Sequence, residues 1–181
     1  MKAWVSLVLF AATIGIASSQ IVTSRDVTFR FFSSAPIEDI TAVSNEGVSG
    51  LDFISKSVYF RVAIRSFEFE KKLMQEHFNE NYMESSKYPY AEFKGFLKED
   101  IDLSADGAFP VTVQGDLTIH NVTRSYTVKG QLTIKGGEVV ANAAFPVRLA
   151  DHQIKIPRLV IKNIAEVVEV TVSANYLPAS K

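Results

Sequence analysis

Cysteine is absent from all 181 residues. That excludes a disulfide framework, a thiolate metal site, a cysteine nucleophile and a lipid-modified cysteine at a processed N-terminus. Charge of one sign is lacking too: 19 basic and 20 acidic side chains give a net charge of −1, and no basic stripe offers a footprint for nucleic acid. The three histidines, His77, His120 and His152, lie in different segments, none at i+2 or i+4 from another, so no metal-ligand spacing is present. Neither a Gly-x-Ser-x-Gly elbow nor a glycine-rich phosphate loop occurs. The acidic run Glu99-Asp100-Ile101-Asp102 adjoins Ala105-Asp106-Gly107 and reads as a solvated loop. No residues remain on which a catalytic centre would rest, so the expectation is a protein that is not an enzyme and takes no cofactor.

Long hydrophobic runs are missing except at the start. Met1 and Lys2 precede an apolar stretch from Ala3 to Ile16, and the small residues Ala17, Ser18 and Ser19 follow. A basic start, a short apolar core and a small-x-small exit form a secretory signal peptide. The stretch is shorter than the roughly 20 residues a spanning helix needs. Residues 1–19 are therefore expected to be removed, which leaves 20–181 as one domain, periplasmic or secreted, without a stable membrane anchor. Without Lys2 the 18 remaining basic side chains face 20 acidic ones, a net of −2. The sequon Asn121-Val122-Thr123 has meaning only in a eukaryotic secretory route.

What the chain has in quantity is alternation with a period of two, the mark of a strand with one buried face. Val58, Phe60, Val62 and Ile64 alternate with Tyr59, Arg61, Ala63 and Arg65. The same holds for Val111 to Ile119 and for Tyr126 to Ile134, where Tyr126, Val128, Gly130, Leu132 and Ile134 share a side. It holds again for Val168, Val170, Val172, Ala174 and Tyr176, and it begins early with Val27, Phe29 and Phe31. Turn signals at Asn45-Glu46-Gly47, Ala105-Asp106-Gly107 and Lys135-Gly136-Gly137-Glu138 divide the runs, the last as a hairpin. About eight strands are predicted: 22–32, 38–48, 57–66, 91–99, 110–120, 125–135, 138–147 and 166–177. From Glu70 to Met83 the spacing of Leu73, Met74, Phe78 and Tyr82 suits a short helix instead (about 70–84). Pro89 then starts the next strand. Antiparallel strands of this kind close as a barrel or pack as a sandwich; an eight-stranded barrel has room for side chains or one small ligand.

Two motifs are more specific. Tyr88-Pro89-Tyr90-Ala91-Glu92-Phe93-Lys94-Gly95 follows the helical segment, and Gly115-Asp116-Leu117-Thr118-Ile119-His120-Asn121-Val122-Thr123-Arg124 follows in turn. In that order they resemble the YceI-like family of bacterial proteins, from about Val58 to Tyr176. The resemblance implies an all-β, lipocalin-like antiparallel barrel, periplasmic or secreted, with an apolar interior that holds a polyisoprenoid or another long amphiphilic lipid. Two positions depart from the family pattern. Asp26-Val27-Thr28-Phe29 stands where a His-Ser pair usually precedes the first strand, which bears on the early strands and the mouth. Asn121 replaces a glycine but tolerates the same left-handed turn. True lipocalins carry Gly-x-Trp near their start; the one tryptophan here is Trp4, so that kinship is not supported.

Between Phe67 and Phe96 the chain concentrates Phe67, Phe69, Met74, Phe78, Tyr82, Met83, Tyr88, Tyr90, Phe93 and Phe96. They read either as a helix packed over one barrel end or as an adaptable entrance for an acyl or isoprenoid chain. Gly115, Gly130, Ala141, Ala143 and Ala144 would leave room for such a chain, or else mark bending and close strand packing. The expected ligand contacts are Val58, Phe60, Val62, Phe67, Phe69, Met74, Phe78, Tyr82, Phe93, Leu117, Ile119, Leu132, Val170 and Val172. The expected function is non-catalytic storage or transport of a long-chain lipid or isoprenoid. A ligand-free β-barrel acting as an interaction or stress-response module is the alternative, with a homodimer among the assembly options.

Overall fold

Alternating apolar residues become the inner face of one antiparallel sheet, because only a closed or packed sheet removes such a face from water. The protein is represented by a computed structural model that describes residues 21–34, 38–156 and 165–177. The expected signal peptide therefore lies outside the described residues. The strands are β1 (Ile21–Ser24), β2 (Asp26–Ser33), β3 (Ile40–Ser44), β4 (Val48–Asp52), β5 (Ser57–Ala63), β6 (Glu68–Phe69), β7 (Tyr90–Leu97), β8 (Gly107–Ile119), β9 (Val122–Lys135), β10 (Glu138–Arg148) and β11 (Val167–Tyr176).

Eleven segments stand where about eight strands were expected, and the reason is local. β1 and β2 are halves of one strand interrupted at Arg25; β3 and β4 are halves of the next, interrupted at Asn45-Glu46-Gly47. One register runs through both halves, with Ser24 opposite Ser49 and Phe29 opposite Ser44. The signal at Asn45-Glu46-Gly47 is thus a bend and not a chain reversal, and strand pairing continues to Asp52 instead of ending at 48. Glycine is required at this bend. A Cβ on Gly47 would sit 2.5 Å from the Phe29 ring, while its N–H donates to the Val27 carbonyl at 3.3 Å. The two-residue β6 is the remaining extra segment and pairs with β3.

Sheet order places β4, β5, β7, β8, β9, β10, β11 and β2 side by side. The first strand pairs with β4 through its β1 half and with β11 through its β2 half. That one strand therefore joins both ends of the sheet and closes it into a barrel. Asp26-Val27-Thr28-Phe29, the departure from the family pattern, lies within this closing strand and is fully paired.

Both tight hairpins use backbone that the sequence signals anticipate. His120 and Asn121, between β8 and β9, have φ of 52° and 58°, and Gly136 and Gly137, between β9 and β10, have φ of 58° and 85°. Two consecutive positive φ values are what a two-residue hairpin with native twist demands, and Asn121 takes the left-handed conformation that asparagine tolerates. Close strand approach explains Gly115. A Cβ there would lie 2.3 Å from the Lys94 carbonyl oxygen, facing Gly95 across β7. Gly115 serves packing and not cavity room, and Ala144 is exposed on the outer face.

The predicted helix is shorter than its pattern. A regular turn, α1 (Lys72–His77), gives way to a π turn over Phe78–Tyr82, where the Met83 N–H reaches back to the Phe78 carbonyl at 2.9 Å. Phe78 and Tyr82, four residues apart and therefore on one face, both border the barrel interior. The strand expected over 57–66 likewise ends at Ala63, and Ile64–Ser66 form a single 3-10 turn.

Candidate functional site

The two ends of the barrel are filled differently. At the end bearing the β9–β10 hairpin, Val27, Leu51, Leu97, Ile134, Val139, Ala174 and Tyr176 form a close-packed floor, all 5% exposed or less. Phe53, Ile101, Leu103 and Phe109 pack against the same core. So the acidic loop 99–102 is only half solvated: Ile101 helps seal the floor, and the Glu99 carboxylate accepts the Thr112 N–H at 2.7 Å. Polar groups in the floor are paired. The Tyr176 hydroxyl meets the Ser49 hydroxyl, and Ser24 Oγ donates to the Asn175 carbonyl at 2.5 Å. Burial pushes the Tyr176 phenol far above the usual tyrosine range, so it stays neutral.

Toward the other end the packing opens into a cavity of about 310 Å³. Inward positions of β2, β5, β7, β8, β9, β10 and β11 form its wall, and α1 with the π turn covers its mouth. All fourteen residues expected as ligand contacts lie along it: Val58, Phe60, Val62, Phe67, Phe69, Met74, Phe78, Tyr82, Phe93, Leu117, Ile119, Leu132, Val170 and Val172. Periodicity missed Leu149 and Ile154, which come from the connection after β10. It also left unnamed Phe31, Val113, Val128 and Phe145, although their strand parity was readable. Gly130, Ala141 and Ala143 also line the cavity, three small residues where β9 faces β10.

The cover is held by rings. Phe78 packs against Phe31, Phe67 and Phe69 with centroids 5.0–5.8 Å apart, geometry in which aromatic pairs attract beyond their buried area. Tyr82, Met83, Ile64 and Ile154 form a second cluster beside it. A polar strut ties the end of the cover to the barrel rim: Glu84 Oε2 lies 2.8 Å from His120 Nε2, and Tyr88 packs edge-on against the same imidazole at 4.4 Å. His120 is therefore a half-buried turn residue, as its strand-end position suggests. His77 is exposed yet borders the cavity mouth.

His152 is fully buried. Its Nδ1 lies 2.9 Å from the Val122 carbonyl and its Nε2 3.1 Å from the Tyr126 hydroxyl. Donation from Nδ1 and acceptance at Nε2 satisfies a neutral ring, and burial depresses its pKa below the ordinary histidine value. The ring anchors the 3-10 turn Leu149–His152, which carries Leu149 to the cavity. Among the described residues no group of three or more His, Asp or Glu side chains could hold a metal ion, and no helix is long and apolar enough to cross a membrane.

The YceI-like domain family matches residues 11–176 of the chain. The chain belongs to the YceI-like family. Several solved structures share its fold. A polyisoprenoid binding domain from Saccharophagus degradans is 13% identical with a TM-score of 0.74, over 90% of this chain and 100% of that one. Burkholderia cenocepacia BcnA is 14% identical with a TM-score of 0.69, over 82% and 95%. The Campylobacter jejuni YCEI protein is 15% identical with a TM-score of 0.56, over 99% and 100%. At these identities the likeness is one of fold. No curated protein matches the chain.

Proposed function

We propose that this YceI-like barrel binds a long-chain apolar or amphiphilic lipid, of polyisoprenoid or fatty-acyl type, without catalysing a reaction on it. The observation that carries the reading is the apolar cavity of about 310 Å³ under an aromatic and methionine cover. It lies at the lower end of the range of ligand pockets, and its walls are close to pure hydrocarbon. Each Å² of apolar ligand surface buried there stabilises the complex by roughly 25 cal/mol. A long tail can therefore bind tightly with no motif in the sequence. The structural relative from Saccharophagus degradans, described as a polyisoprenoid binding domain, supports the same ligand class.

Export completes the proposal. With residues 1–19 removed, the domain stores or carries its lipid in the periplasm or outside the cell. There it acts as a monomer or homodimer, with neither nucleic acid nor a membrane anchor among its partners. Native mass spectrometry and solvent extraction of protein purified from its own host test this directly: a stoichiometric long-chain lipid is the expected result. Protein free of lipid that also fails to take up any long-chain probe would sink it and leave the ligand-free interaction module.

A further inference from the structure

The polar residues around the cavity divide sharply. Arg30, Glu92, Gln131 and Asn142 sit at outward positions of their strands, alternating with inward Phe29, Phe93, Leu132 and Ala143. Buried Ser33 is engaged, its Oγ accepting the Ala165 N–H at 2.9 Å. That leaves His77 and Tyr82. Both border the cavity, and neither side chain has a hydrogen-bond partner among the described residues. Both belong to the cover, five residues apart across the transition from α1 to the π turn, where i-to-i+5 bonding sets such residues one above the other.

From this we infer that the ligand is a single-headed amphiphile, bound tail-first, whose oxygen-bearing head is held at the mouth by His77 and the Tyr82 hydroxyl. The inference rests on the lipid-binding reading and adds to it an orientation and a head-group class.

The floor dictates the orientation. It is close-packed and closed by the Ser49–Tyr176 pair, so a polar head driven there would lose its water and gain nothing. At the mouth the opposite holds. Tyr82 keeps its proton, because burial raises its pKa, and offers a donor to a head-group oxygen; an imidazole offers a donor or an acceptor. Carboxylates, phosphates, alcohols and amides all present such an oxygen, whereas a bare hydrocarbon does not. A local departure from α-helical geometry, often found at functional sites, is what places both groups on the cavity side.

Displacement of an environment-sensitive fluorescent probe tests the assignment with three ligands of equal chain length: a fatty acid, the matching alcohol and the matching terminal alkene. Wild-type protein is expected to bind the acid and the alcohol about tenfold more tightly than the alkene, the size of one or two well-placed hydrogen bonds. Tyr82→Phe removes only the hydroxyl and retains the ring; combined with His77→Leu it should erase the preference for the acid and the alcohol over the alkene. Equal affinity for all three ligands, or a preference that survives both substitutions, overturns the head-group site while lipid binding stands. No displacement by any of the three overturns both readings together. A thermal melt of each variant separates loss of the fold from loss of the contact.

Discussion

The floor and the mouth of this barrel are built from the same strands yet follow different rules. At the floor, apolar side chains interdigitate, each buried hydroxyl has a partner, and Ala174 and Tyr176 are 0% and 1% exposed. At the mouth, Phe60, Phe93, Phe145 and Val170 are only half-buried, because what they face is a cavity. The cover over them is one helical turn, a π turn and a set of rings. Leu73 on that cover is 61% exposed. One end confers stability; the other admits a guest. A barrel uniformly packed to the density of the floor would have no room for a ligand.

Mutations can break this comparison, beginning with the floor. Ile134→Ala removes a side chain that is 1% exposed and leaves a void in tight packing. The expected loss is about 2–5 kcal/mol of unfolding free energy by chemical denaturation. Tyr176→Phe leaves the Ser49 hydroxyl buried without its partner, for an expected loss of about 1–3 kcal/mol. If either variant unfolds like wild type, the floor is not the stabilising end.

Val170→Ala at the mouth is the matched test. Its side chain already borders open space, so truncation adds little new cavity and should cost about 1 kcal/mol or less, while longer or bulkier lipids become better ligands. Val170→Trp should do the reverse: a filled cavity, a thermal midpoint close to wild type, and lipid uptake weakened at least about tenfold.

Acid provides the subtlest probe. The buried His152 ring has a lowered pKa in the folded protein, against an ordinary value of 6.5. Unfolded chains therefore take up a proton first, and stability declines as pH falls from about 6.5 toward the folded-state pKa, then levels. The carboxylates of Asp52 and Glu92, with folded-state values below their ordinary ones, lose their contributions separately, below the ordinary carboxylate range. A pH series of denaturation midpoints should show both declines. His152→Gln, which can still meet Val122 and Tyr126, should abolish the first alone.

Much of this architecture was legible in the order of residues. Period-two alternation assigned the inner faces of β5, β8, β9 and β11 correctly, since side-chain direction in a strand depends on parity alone. Turn chemistry located the hairpin at Gly136-Gly137, since few residues accept positive φ, and the family resemblance marked the turn at Asn121. The absence of cysteine and of any catalytic motif was equally readable.

Other features were settled only by the assembled barrel. Whether Asn45-Glu46-Gly47 turns or bends depended on Phe29 pressing against Gly47 from a neighbouring strand. The role of Gly115 depended on Gly95, twenty residues earlier in the chain. The π turn within 70–84 carries Phe78 against Phe31, a contact with a distant strand that no local window contains. The cavity itself is of this kind: identical inward valines are floor or wall according to what stands opposite them across the barrel. Local sequence dictates which way a side chain points, and only closure of the sheet decides whether it meets another side chain or empty space.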